Sequence, residues 1–195
     1  MKPILFNTEM VRAILDGRKT QTRRLVKNIQ LHEPYFEVVD GTPYACDGDG
    51  EWHPAVEFSP IQEGDVLYVR ETWDRYVDGN TGETVYIYRT HCRNRKILED
   101  VCGYNIKWRP SIHMPKEAAR LFLRVTDVRM ERLRDGIGCL QALQAEGVKS
   151  TTFPSILFEF RELWDSTIKP ADLPRYGWGA NPWVWVIEFE RTDKP

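Results

Sequence analysis

Short apolar runs separated by turn residues dominate the hydropathy pattern. Pro3-Ile4-Leu5-Phe6 reads as an opening strand. In Thr8 to Asp16, Met10, Val11, Ile14 and Leu15 recur at helical spacing and give a helix with one apolar face. Asn7 or Thr8 supplies a side-chain oxygen for its first turn, and Gly17 stands where a left-handed residue ends it. Thr20 to Val26 reads as an extended edge, and Val66 to Glu71 as a clear strand after Gly64-Asp65. The turn Asp78-Gly79-Asn80-Thr81-Gly82 precedes another strand, Thr84 to Arg89. Ala118 to Leu133 reads as a long strand bulged near Asp127. Leu140 to Glu146 and Phe153 to Trp164 suit helices, and Trp183 to Phe189 is a strong terminal strand with Pro182 before it.

Two stretches lack such periodicity. Residues 28–64 are polar and turn-rich, with Asp47-Gly48-Asp49-Gly50 as the sharpest turn, and read as an excursion carrying a hairpin. Residues 90–107 are polar and basic and read as a second excursion. Prolines bracket Trp108 to Pro115, which makes it an irregular loop. Short strands with three helices between them predict an α+β fold around a small, partly closed barrel.

Composition narrows the classes. With 195 residues the chain fits one domain with insertions and can bury a core. Seven Trp argue against disorder. A net charge of −2 excludes a uniformly basic polyanion binder. It leaves room for a local one, because cations cluster at Arg18 to Arg24 and Arg89 to Lys96. The four Cys, at 46, 92, 102 and 139, form no CxxC pair. With no apolar N-terminal run and no membrane-length segment, the expectation is a cytosolic protein with reduced thiols and no membrane partner.

Four constellations could carry chemistry. In the first, Gly17-Arg18-Lys19-Thr20-Gln21-Thr22-Arg23-Arg24, extended geometry puts 18, 20, 22 and 24 on one face and 19, 21 and 23 on the other. A Lys among arginines can lose basicity and act as a base, and a Thr beside it as a nucleophile. A solvated cationic turn explains the same spacing. The second is the stiff loop with Arg109, Ser111 and His113, which suits phosphate or base recognition with Trp108 as a stacking surface, or else plugs the core. The third is Arg70-Glu71-Thr72-Trp73, where Glu71 can hold a cation. The fourth gathers Cys46, His53, His91, Cys92 and Cys102, without the paired spacing of a zinc site. Cys139 reads as a core residue. Asp47, Asp49 and Glu51 fail the EF-hand pattern, because Phe58 stands where its last Glu belongs. No metal or cofactor is expected.

The pattern Gly17-x-Lys19-x-x-Thr22-x-Arg24 resembles the signature of the ASCH family, a branch of the PUA-like superfamily, with Thr22 in place of the commonest Glu. Segments 64–73, 109–115 and 181–185 are similar to longer ASCH-like proteins of phages and prophages. The resemblance covers nearly the whole chain. It implies a single domain over residues 1–195, with a small PUA-like mixed β-barrel, about three flanking helices and insertions around 28–63 and 90–107. It also implies a cleft beside the signature that binds nucleic acid, RNA favoured, or a nucleotide. Arg18, Arg23, Arg24 and Arg109 would contact phosphate, and Trp108 or Trp73 would stack a base. Arg70, Ser111 and His113 would complete the ligand-binding set. Some small bacterial members hydrolyse the amide of N4-acetylcytidine, a modified nucleoside. There a Lys is the base, a Thr the nucleophile, and a Glu further along the chain orients them or handles the proton. The matching residues here are Lys19, Thr22 and Glu146, with Glu71 as the alternate Glu. A metal-dependent nuclease is a further class, for which the sequence offers acidic residues but no metal motif. If phage-encoded, the protein would act in the host cytoplasm.

Overall fold

The computed structural model describes residues 1–27, 35–92 and 94–195, and for Cys102 the backbone alone. Among them the fold is α+β. In chain order the elements are β1 (Lys2–Leu5), α1 (Thr8–Leu15), β2 (Gln21–Leu25), β3 (Phe36–Val39), β4 (Thr42–Cys46), β5 (Trp52–Pro54), β6 (Val66–Arg70), β7 (Trp73–Val77) and β8 (Thr84–Tyr88). They continue with α2 (Arg95–Cys102), β9 (Phe122–Arg132), α3 (Leu140–Ala145), α4 (Ser155–Ser166), α5 (Leu173–Tyr176) and β10 (Trp183–Thr192). The chain divides into two compact units. The first takes residues 1–17, 66–124 and 191–195; the second takes 18–65 and 125–190.

In the first unit β1 runs parallel to β6, and β6 is antiparallel to the start of β9. Asn7 caps α1, its Oδ1 accepting from the Met10 amide at 2.8 Å. Val11, Ala13 and Ile14 form the buried face of that helix. Gly17 has φ +74°, a conformation in which a side chain is strained, so the helix ends there as its position predicts. The hairpin β7–β8 turns at 78–82, where Asp78 Oδ1 accepts from the Asn80 and Thr81 amides. Trp73, Met114, Ala118, Ala119 and Phe122 pack into one core cluster.

In the second unit β2 lies antiparallel to β10, from Gln21 opposite Glu188 to Leu25 opposite Val184. A separate meander, β3–β4–β5, occupies the first excursion. Its tight turn is built by Asp47, whose Oδ1 accepts from the amides of Asp49 and Glu51. Residues 28–34 of that excursion lie outside the described residues. The core packs Leu133, Ile137, Leu143, Val148, Ile156, Phe160 and Trp164 with Val184 and Val186 of β10.

Several expectations need correction. The first excursion carries the expected hairpin and adds a third strand to it. The second contains α2, which opens with Asn94 accepting from the amides of Lys96 and Ile97 and closes at left-handed Gly103. Both caps stand in the sequence, but the polar composition of 90–107 masks them. The long strand begins at Phe122 rather than Ala118, because residues 116–118 form a 3-10 turn. Cys139 is exposed: it is the N-cap of short α3 and makes no side-chain cap bond. Among the described residues no sheet closes on itself into a barrel. No helix among them is long and apolar enough to cross a membrane.

Candidate functional site

Half of the basic stretch is inside the protein. Lys19, Gln21, Thr22 and Arg23 are each about 95% buried, and Glu146 is 3% exposed. The backbone brings them together. Lys19 forms a β-bridge with Glu146, and the Thr20 amide donates to Ala145 O at 3.0 Å. This ties the end of α3 to the start of β2. Side-chain alternation then aims Lys19, Gln21 and Arg23 at the Glu146 carboxylate.

The Lys19 ammonium donates to Gln21 O at 2.6 Å, Glu146 O at 2.8 Å and Glu146 Oε2 at 3.1 Å. An ammonium has three N–H donors, and these three acceptors match that number. Glu146 Oε1 accepts from Arg23 Nη1 at 2.6 Å and Gln21 Nε2 at 3.1 Å. Desolvation by burial holds the Lys19 ammonium below its ordinary pKa, although Glu146 opposes the shift. Burial pushes the Glu146 carboxyl up, but Lys19, Arg23 and the Gln21 bond outweigh it and hold the group below the usual range.

The network continues outward through Gln21, whose Oε1 accepts from Arg129 Nη2 at 3.2 Å. Arg129 also donates to Asp127 and Glu188, both at 2.6 Å, and to Glu131. Arg23 is different. Among the described residues its Nε and Nη2 have no hydrogen-bond partner, and neither does Glu131 Oε2, 3.7 Å from Nη2. Gly136 backs onto this pair, and a Cβ there would lie 2.2 Å from Glu131 Oε2 and 3.0 Å from Arg23 Nη2. Arg23 also lines a cleft of about 290 Å³ with Arg24, Leu25, Lys27, Trp164, Thr167 and Ile168.

Of the proposed catalytic set, the structure joins Lys19 to Glu146. Thr22 lies between Gln21 and Arg23 on β2, so its side chain takes the opposite face. Arg18 is exposed and donates to Gly147 O at 3.1 Å, while Arg24 is half-buried. The alternate, Glu71, belongs to the first unit and is 1% exposed. Arg120 grips both its oxygens, at 2.9 and 3.1 Å, and the Thr90 hydroxyl donates at 2.7 Å. This is a closed structural ion pair.

The other ligand-binding residues separate into structural and exposed ones. Trp73 is 3% exposed within its core cluster, so it offers no face to a base. The alternation of β7 that turns it inward could not be read from a four-residue motif at a strand end. Arg70 holds the loop by donating to the carbonyls of Met114 and Ile112. Arg109 and His113 are exposed, and Ser111 and Trp108 are half-buried. His53 contacts Asp47 at 3.1 Å and Glu57 at 3.5 Å. Among the described residues no group of three or more His, Cys, Asp or Glu could hold a metal. The Cys102 side chain lies outside them.

Sequence reasoning missed Gln21, Arg129 and Glu131. The signal for Gln21 was present: residues 19, 21 and 23 form an all-polar strand face, which is uncommon unless a polar partner covers it. Nothing local marked Arg129 or Glu131.

No protein-family model matches the chain, and no curated protein matches it. Among solved structures, the crystal structure of protein EF3133 from Enterococcus faecalis V583, of family DUF984, overlaps with a TM-score of 0.45 at 11% identity. The overlap covers 99% of this chain and 82% of that one. Likeness at that level transfers neither fold nor activity.

Proposed function

We propose that this chain binds nucleic acid, RNA favoured, or a nucleotide, at the edge of β2. The observation that carries the reading is the cleft lined by Arg23, Arg24 and Lys27, three cations from one short segment, beside the wall of Trp164 and Ile168. Phosphate is drawn to such a cluster whatever the net charge of the chain. The buried Lys19–Glu146–Arg23 network fixes the strand that presents it. The ASCH-like signature at Gly17 to Arg24 supports the same reading, and with it a partly closed PUA-like barrel, a cytoplasmic setting and a phage or prophage origin.

The test is anisotropy of a labelled single-stranded RNA across roughly 50–200 mM salt, where each neutralised phosphate contributes about 0.7 to the log–log slope. Arg24→Ala with Lys27→Ala should weaken binding and flatten that slope. No binding by the natural chain at the lowest salt ends the reading.

A second reading is an amidohydrolase acting on N4-acetylcytidine-type nucleosides. It is favoured by the 3.1 Å contact of Lys19 with Glu146 and by the lowered basicity of Lys19. Against it, Thr22 takes the other face of β2, and Lys19 already serves three acceptors. Turnover of N4-acetylcytidine that is abolished in both Lys19→Ala and Thr22→Ala would establish it over simple binding.

A further inference from the structure

We propose that the first unit carries its own docking surface for single-stranded nucleic acid, a ridge formed by Arg89, Lys107, Trp108 and Arg109. This deepens the nucleic-acid reading above and depends on it, but it uses none of the β2 residues. The ridge is rigid. Arg109 and Trp73 exchange two backbone hydrogen bonds, at 2.8 and 3.3 Å, which add a short strand segment beside β7. Asp74, with no exposed surface, anchors the same segment. It accepts from the Lys107 amide at 2.6 Å and from Arg109 Nε at 3.2 Å. Loops held this way place their outward groups without further ordering.

The outward groups are cationic and aromatic. Arg89, Lys107 and Arg109 are all exposed. Arg89 and Lys107 have no carboxylate partner among the described residues, so their charge is not neutralised locally. The Arg89 guanidinium lies over the Trp108 ring, 5.8 Å from its centroid. A planar guanidinium on an indole is a surface on which a base can stack, and flanking cations suit the phosphates on either side. Bases in a duplex are already stacked and paired, so the ridge fits an unpaired strand. Cations without an aromatic would serve any polyanion; the stacked pair adds the preference for exposed bases.

The test is anisotropy of the full chain with labelled single-stranded RNA, with a duplex of the same sequence as competitor. Arg89→Ala with Lys107→Ala removes charges that hold no carboxylate among the described residues and, at Arg89, the contact with the Trp108 ring; an unchanged melting temperature checks that the fold is kept. This double variant should bind about tenfold more weakly at low salt, with the log–log slope reduced by about 1.4 for two lost phosphate contacts. Trp108→Ala should weaken binding at least about fivefold with the slope unchanged, which separates stacking from charge. If the Arg89/Lys107 variant binds normally while the Arg24/Lys27 variant is impaired, the ridge is overturned and the cleft survives. If neither variant is impaired, or the natural chain fails to bind, both readings fall. Equal competition by duplex overturns the preference for unpaired bases.

Discussion

Two buried glutamates anchor the two units, and they are partnered in opposite ways. Glu71 forms a closed pair: Arg120 takes both oxygens and Thr90 completes the shell. Arg120 then faces outward, its guanidinium 4.0 Å from the centre of the Tyr88 ring and bonded to His91 Nε2 at 2.6 Å. Glu146 is shared by two cations and an amide, and its network runs on through Gln21 to Arg129 and three further carboxylates. It is also incomplete, since Arg23 Nε and Nη2 have no acceptor among the described residues. A buried ion pair whose charges and lone pairs balance holds a fold and offers nothing to a ligand. A network with unpartnered guanidinium nitrogens holds the fold with part of its bonding capacity unused.

Deletions sharpen this contrast. The largest loss is expected for Glu146→Ala, which leaves Lys19 and Arg23 buried and unpaired, at about 3–5 kcal/mol by urea denaturation. Adding Lys19→Met should recover part of it, because the two residues are in contact. Glu71→Ala should cost less, about 2 kcal/mol, because the Arg120 side chain is 24% exposed and water can take over its bonds. Equal losses from the two deletions would break the comparison.

Acid is the next lever. Glu146 is held below its ordinary value of 4.5, so its folded form binds a proton less readily than its unfolded form. Its contribution is present above that value and is lost as pH falls through the lower folded value. Thermal unfolding followed downward from neutral pH should therefore show a stability loss that Glu146→Gln abolishes. A slope unchanged in that variant would place the acid sensitivity elsewhere. The smallest effect is expected at Gly136→Ala, about 1 kcal/mol, since the added methyl displaces the flexible end of Glu131 from Arg23. No change in the denaturation midpoint would mean that Glu131 contributes nothing at Arg23.

Much of the first unit was legible because its signals are local. Asn7 and Gly17 bound α1, Gly64-Asp65 precedes β6, and 78–82 turns the hairpin. The candidate site was legible only in part. Lys19 and Glu146 were drawn together by family resemblance, across 127 residues of sequence. Thr22 was placed in the same set, and strand alternation turns it away. Trp73 looked like a stacking surface and is a core residue.

The sequence alone determined where several elements start and stop, α1, β6 and the β7–β8 turn among them, because caps, turns and apolar periodicity act over a few residues. It also determined that Lys19, Gln21 and Arg23 share a face, because alternation is a property of any extended strand. Only the tertiary structure decided what that face meets. The end of α3 pairs with the start of β2, and this delivers a carboxylate to the buried end of the basic stretch. By charge that stretch reads as a solvated turn. Folded, its alternate residues Lys19, Gln21 and Arg23 belong to a buried polar network, while Arg24 and the nearby Lys27 line the cleft.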